Sequence, residues 1–192
     1  MLRWLGMLLF AAGLAGCASA PPQVAVSGLN RVVQEKFELD GRMAVHYRND
    51  NSSASIHWQH RPEIDNLTLS SPLGQTLTVL TRDAAGATLV DSGQKTYRAQ
   101  NVAELTERLM GWQLPLESLA YWIVGHAAPG EPYQVHQDAE QGLTRLLQSG
   151  WVVTYSRWQQ VDGVNLPNRL TVAGRGVEVK LVVGSWKLAG TE

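Results

Sequence analysis

From Leu39 onward, apolar and polar residues alternate with a period of two in one short segment after another, the pattern of half-buried β-strands. Leu39, Gly41, Met43, Val45 and Tyr47 alternate with Asp40, Arg42, Ala44 and His46 before a turn at Asn49-Asp50-Asn51. Ala54, Ile56 and Trp58 alternate with Ser55, His57 and Gln59, and Arg61-Pro62-Glu63 turns the chain again. Leu67 and Leu69 mark a third strand, and Leu77 and Val79 a fourth after the break at Pro72-Leu73-Gly74. Ala87 to Asp91 and Thr96 to Ala99 are short strands around Ser92-Gly93. Tyr133 to His136, Leu143 to Gln148, Trp151 to Tyr155, Leu166 to Val172 and Val177 to Val183 complete the series, the last with the cleanest alternation.

Three segments change to the helical period. Leu29, Val32, Val33 and Phe37 predict an N-terminal amphipathic helix. Asn101 with Glu104 forms a capping-box-like start for a helix carrying Val102, Leu105 and Leu109, with Gly111 as its stop. Pro115 opens another, lined by Leu116, Leu119 and Ile123 with Trp122 beside them, ending at Gly125. About ten strands and three helices fit one curved antiparallel sheet with helices over its concave side. A sheet that curls without closing leaves a hollow, which helices can roof.

Ahead of this domain, Arg3 precedes an apolar run from Leu5 to Leu14. About ten residues is the length of a secretory signal core and too short to span a bilayer. The run ends in Leu14-Ala15-Gly16-Cys17, which resembles a bacterial lipobox. That resemblance implies a diacylglyceryl group on the Cys17 thiol, cleavage just before it, and acylation of the new N-terminus. Cys17 is the only cysteine, so a disulfide within the chain is excluded. Ala18, not Asp, follows it, which leans towards the outer membrane if the host sorts as enteric bacteria do. Residues 1–16 are thus expected to be a signal peptide, 17–28 a lipidated cysteine with a flexible tether, and 29–192 one domain.

Composition removes several classes of function. The net charge is −1 and the charges are dispersed without a basic stripe, which argues against nucleic acid. The sequence contains no G-x-S-x-G elbow and no P-loop, hence no obvious use of ATP. The five histidines are scattered, and His57 and His60 fall on opposite faces of one strand, so a zinc pair is not expected. The expectation is a monomeric non-enzyme with no metal and no cofactor beyond the covalent lipid on Cys17.

Two apolar features remain open at this level. Leu73 in Ser71-Pro72-Leu73-Gly74 either folds back into the core or projects from a tight bend. The face of Leu116, Leu119, Trp122 and Ile123 is either plain core or the roof of a pocket.

The ordered set Phe37-Glu38-Leu39-Asp40-Gly41-Arg42, Trp58, Ser71-Pro72-Leu73-Gly74, Leu114 to Gly125, Trp151 to Tyr155, Pro167 and Trp186, behind a lipobox, resembles the LolB family. The resemblance covers nearly the whole mature chain. It implies an outer-membrane lipoprotein facing the periplasm. Such a protein accepts other lipoproteins from a periplasmic, LolA-like carrier and inserts them into the outer membrane. It also implies an unclosed antiparallel β-barrel of ten or eleven strands, a helical lid over a hydrophobic cavity, and a protruding loop leucine, here Leu73. Trp58, Leu119, Trp122, Ile123, Trp151 and Tyr155 are candidate walls for an acyl-chain pocket. A lipoprotein that holds free fatty acid or another lipid is an alternative, as is a structural adaptor whose concavity is filled by side chains. An envelope hydrolase is more distant, for want of a nucleophile or metal cluster.

Overall fold

The computed structural model describes Leu29 and residues 34–188. The signal peptide, Cys17, the tether 17–28, and Val32 and Val33 of the expected N-terminal helix lie outside the described residues. The elements are β1 (Phe37–Tyr47), β2 (Asp50–Arg61), β3 (Ile64–Ser70), β4 (Thr76–Asp83), β5 (Gly86–Asp91), β6 (Thr96–Ala99), α1 (Val102–Met110), α2 (Leu116–Ile123), β7 (Tyr133–Asp138), β8 (Leu143–Gln148), β9 (Trp151–Val161), β10 (Val164–Gly174) and β11 (Val177–Leu188).

Phe37 corrects the N-terminal helix. It opens β1, because the inward row Leu39, Ile56, Trp58 extends two residues further than the alternation suggested. Its ring packs edge-on against Trp58 at 5.2 Å and Trp186 at 5.5 Å between centroids.

The strands form one 11-stranded antiparallel sheet in the order β6-β5-β4-β3-β2-β1-β11-β10-β9-β8-β7. The first and last strands therefore pair at its centre, and two meanders run outward from that seam. Consecutive strands cannot bury their apolar rows alone, so the sheet curls and its inner rows meet α1 and α2 in one buried cluster. Topology also dictates where the helices go. β6 and β7 are the opposite edges of the sheet, so the segment joining them must cross its open side. Gly41 sits at a bulge where β1 shifts register against β11, and a Cβ there would collide with the backbone oxygen of Val182.

The hairpin turns fall on two rims. One carries the β1–β2, β3–β4, β5–β6, β8–β9 and β10–β11 turns; the other carries the β2–β3, β4–β5, β7–β8 and β9–β10 turns, with Phe37 at the start of β1. Among the described residues no helix is long and apolar enough to cross a membrane.

Candidate functional site

The roof of the concave face is α2. Leu116, Leu119, Ala120, Trp122 and Ile123 are buried, at the spacing that places them on one side of a helix. Pro115 stands at its N-cap position, where a missing N–H has no consequence. Its C-terminal end is fixed to the sheet. Gln148 of β8 accepts from Trp122 Nε1 at 2.8 Å and from the Ala128 amide at 2.9 Å, and donates to the carbonyls of Ala128 and Glu131. The Tyr155 hydroxyl donates to the Trp122 carbonyl at 2.9 Å, and burial pushes its pKa upward, so it stays a neutral donor. α1 is held separately, by the Asn101 cap on the Glu104 amide and by Arg108 donating to the Arg98 carbonyl on edge strand β6.

All six pocket-wall candidates lie in the buried cluster. Trp58, Trp122, Ile123 and Tyr155 have no solvent exposure, Trp151 has 3% and Leu119 has 8%. Trp122 and Trp151 approach within 6.3 Å between ring centroids. These side chains therefore pack against one another and against the sheet, and any room for an acyl chain among them requires α2 to move. A Gln148→Leu variant is expected to loosen this roof. It strips partners from Trp122 Nε1 and the backbone of residues 128 and 131, a loss of about 1–3 kcal/mol for each buried group left unpaired. Amide exchange over residues 116–131 should quicken while the central strands keep their protection.

Beside α2 lies a cleft of about 410 Å³, lined by residues that include His60, Pro62, Arg82, Glu117, Ala120 and Tyr121. Next to it stands a polar group that sequence reasoning missed. His60, Asp65 and Arg82 are direct cross-strand partners on β2, β3 and β4. Asp65 is wholly buried. It accepts from Trp58 Nε1 at 2.8 Å and Arg82 Nε at 2.6 Å, with His60 Nδ1 at 2.6 Å. Burial raises the Asp65 pKa, but the hydrogen bonds from His60, Arg82 and Trp58 outweigh it and hold the carboxyl below its ordinary value. The signal was present in the alternation: Asp65 shares the inward row of Leu67, and Gln148 that of Leu146. A polar residue on an inward row needs a partner.

Leu73 is resolved by the structure as the projecting alternative. It is 90% exposed at the tip of the β3–β4 turn. The Gly74 amide donates to the Ser71 carbonyl at 2.9 Å, the Ser71 amide to the Gln75 carbonyl at 2.8 Å, and the Gln75 amide to the Ser71 hydroxyl at 3.2 Å. Gly74 has φ 82°, a conformation that favours glycine. The leucine is thus presented by an ordered bend.

His57 and His60 do face opposite ways. His57 Nδ1 lies 2.8 Å from Asp40 on the outer face, near Glu38. Ligating atoms of Glu38, Asp40 and His57 lie within 4.8 Å of one another, but Lys187 Nζ already sits 2.6 Å from Glu38 and supplies a counter-charge.

The family described as "Outer membrane lipoprotein LolB" matches residues 35–186. Curated relatives named outer-membrane lipoprotein LolB include that of Chromobacterium violaceum, 35% identical over 97% of this chain and 100% of the relative. Another, from Nitrosomonas europaea, is 34% identical over 95% of this chain and 90% of the relative. Among solved structures, a LolA superfamily protein from Nitrosomonas europaea superposes with a TM-score of 0.52 at 9% identity, covering 84% of this chain and 90% of that one. A DUF1329 family protein from Desulfovibrio piger superposes with 0.51 at 8% identity, over 83% and 88%. These likenesses show a shared fold. With the curled sheet, the latched roof and the presented leucine, the match over nearly the whole chain makes this protein a member of the LolB family of outer-membrane lipoproteins.

Proposed function

We propose that the protein is anchored by acyl groups on Cys17 in the outer membrane, facing the periplasm, and relays other lipoproteins into that membrane. It accepts their acyl chains from a LolA-like carrier beneath α2 and releases them to the bilayer without ATP. The observation that carries this is Leu73, an apolar side chain held out in water by a hydrogen-bonded turn. The names of the relatives support the same reading.

Magnitudes permit the roof to open. Exposing Leu116, Leu119, Trp122 and Ile123 costs roughly 6–12 kcal/mol at about 1.5–3 kcal/mol each. Burying one acyl chain of about 15 methylenes contributes about 12 kcal/mol. A chain held beneath α2 rather than in water therefore offsets opening, whereas the empty protein stays shut; a chain handed over by a carrier brings only the difference between the two sites. Direction then needs only a difference in binding free energy between carrier and receptor, about 1.4 kcal/mol for each tenfold bias.

The test is transfer. Acylated full-length protein is mixed with a periplasmic carrier loaded with labelled lipoprotein, and the label is followed by pull-down and then into liposomes. Movement to this protein and onward is the expected result. The filled concavity also favours a second reading, a structural adaptor. A label that stays on an active carrier would select the adaptor and discard the relay.

A further inference from the structure

The hairpin turns of the two rims differ in charge. On the rim of Leu73 the turns contain Lys95, Arg48 and Arg175 and no carboxylate. On the opposite rim they contain Glu63, Glu140 and Asp162 and no cation. Along the strand order, the Lys95 turn, the Leu73 turn, the Arg48 turn and the Arg175 turn follow one another at every second strand. Neighbouring turns are thus about 10 Å apart, at about 4.8 Å per strand. Leu73 is flanked by a cation on either side, with a third beyond.

All three cations are exposed, and none has a carboxylate within ion-pair distance among the described residues. Arg48 lies over the Tyr47 ring at 4.9 Å, Lys95 over the Tyr97 ring at 5.0 Å, and Arg175 donates to Gln113. These contacts steady the side chains without neutralising them. Asp91, the acid beside Lys95, is held ionised inside its own turn by the amides of Gly93 and Lys95 and the Tyr97 hydroxyl, and it offsets part of the Lys95 charge. Asp50 at the start of β2 and Glu131 in the loop before β7 also lie towards the Leu73 end, set back from the turn tips. Two of the cations also occupy unusual backbone. Arg48 has φ 55° and Arg175 has φ 51°, where Asn, Asp or Gly would sit with less strain. On the opposite rim the equivalent strained position is held by Asp162, at φ 50°.

We infer that Arg48, Lys95 and Arg175 form a headgroup-binding rim that seats the Leu73 end of the domain on an anionic phospholipid surface. The inference rests on the membrane-delivery reading and names the surface it needs. A leucine alone meets a bilayer in any orientation. A row of cations around it meets anionic headgroups while the carboxylates of the other rim are repelled, so the domain lands with Leu73 down.

The test uses full-length acylated protein in phosphatidylethanolamine vesicles with or without phosphatidylglycerol. With Cys17 acylated, a Gln75→Cys variant offers a single thiol for an environment-sensitive dye on the Leu73 turn, and a Glu140→Cys variant offers one on the far rim. Quenching by brominated lipid reports which rim touches the bilayer. The dye at 75 should be quenched in the anionic vesicles, less so as salt rises, and the dye at 140 should not. Combining R48Q, K95Q and R175Q should lower the docked-to-free ratio on the order of a hundredfold, at about a fivefold step per cation. R48E with K95E and R175E should abolish docking. Cargo uptake from the loaded carrier is read in parallel and should be unchanged in both variants. Quenching at 75 that ignores lipid charge and survives both triple variants overturns the rim. Loss of uptake with docking intact also overturns it, making the cations a carrier contact. Wild-type protein that docks but takes no cargo leaves the rim standing and removes the relay.

Discussion

A Leu73→Glu protein is expected to accept cargo at the normal rate and to insert it into liposomes between ten and a hundred times more slowly. The side chain is 90% exposed and belongs to a turn closed by backbone and Ser71 hydroxyl bonds, so the substitution removes no packing. Fold and uptake should therefore survive. What is lost is the gain from moving a leucine out of water, roughly 1.5–3 kcal/mol, to which a carboxylate in the acyl region adds a further penalty. At about 1.4 kcal/mol per decade, the first contribution alone corresponds to roughly one to two decades. The measurement separates two steps: pull-down of labelled lipoprotein after mixing with the carrier, then appearance of the label in liposomes. Leu73→Ile should behave almost as wild type, since it keeps the apolar area. Normal insertion by the glutamate variant would remove Leu73 from the delivery step.

Asp65→Ala carries the largest expected effect on stability, a loss of about 3–5 kcal/mol. The carboxylate is the shared acceptor for Trp58, His60 and Arg82, and it is entirely enclosed. Without it, Trp58 Nε1 has lost its acceptor in the core, and the Arg82 guanidinium is left beside the same three strands without a counter-charge. Arg82 keeps a contact with the Pro62 carbonyl at 3.2 Å, which places the loss at the lower end of that range. The same group makes stability depend on pH. Its pKa is depressed by folding, so its contribution is present above the unfolded carboxylate value of about 3.9 and disappears as pH falls through the lower native value. Urea melts between pH 7 and pH 3 should show the wild type weakening steeply below about pH 4, with a flatter profile for Asp65→Asn. Equal acid sensitivity in the two proteins would show that other carboxylates govern the acid limb.

The strands were legible because each needs a greasy face. Thr96 to Ala99 and Leu143 to Gln148 have the same bounds in sequence and structure, and Asn101 and Gly111 mark the ends of α1. Boundaries slipped where both faces turn polar. The far ends of β2 and β9 run on to Arg61 and Val161 through polar residues such as Arg61, Arg157 and Gln160, which leave no periodic trace. The residues of the site divide in the same way. Leu73 was singled out by the chemistry of its turn, but an exposed and a buried leucine read alike in a sequence. Trp58, Trp122 and Tyr155 were recognised as apolar walls, whereas their polar tips needed Asp65, Gln148 and a backbone carbonyl, partners fixed only by register and by where α2 crosses the sheet. The charged rims were invisible for a similar reason. Cations at 48, 95 and 175 are distant in sequence, and an antiparallel meander gathers alternate turns at one end.

That β1 starts on the rim opposite Leu73 has a consequence for the segment before it. An 11-residue strand is about 36 Å long at about 3.3 Å per residue. The proposed anchor, Cys17, precedes Phe37 by 20 residues, whose fully extended contour is roughly 66 Å at about 3.3 Å each. If anchor and leucine are to enter the same bilayer, this stretch must double back along the whole height of the domain, using more than half of its contour. Leu29 packs on the core along the way, and the 12 residues from Cys17 to Leu29 span at most about 40 Å. The composition of the leader is therefore free to drift, while its length is bounded from below by the height of the barrel.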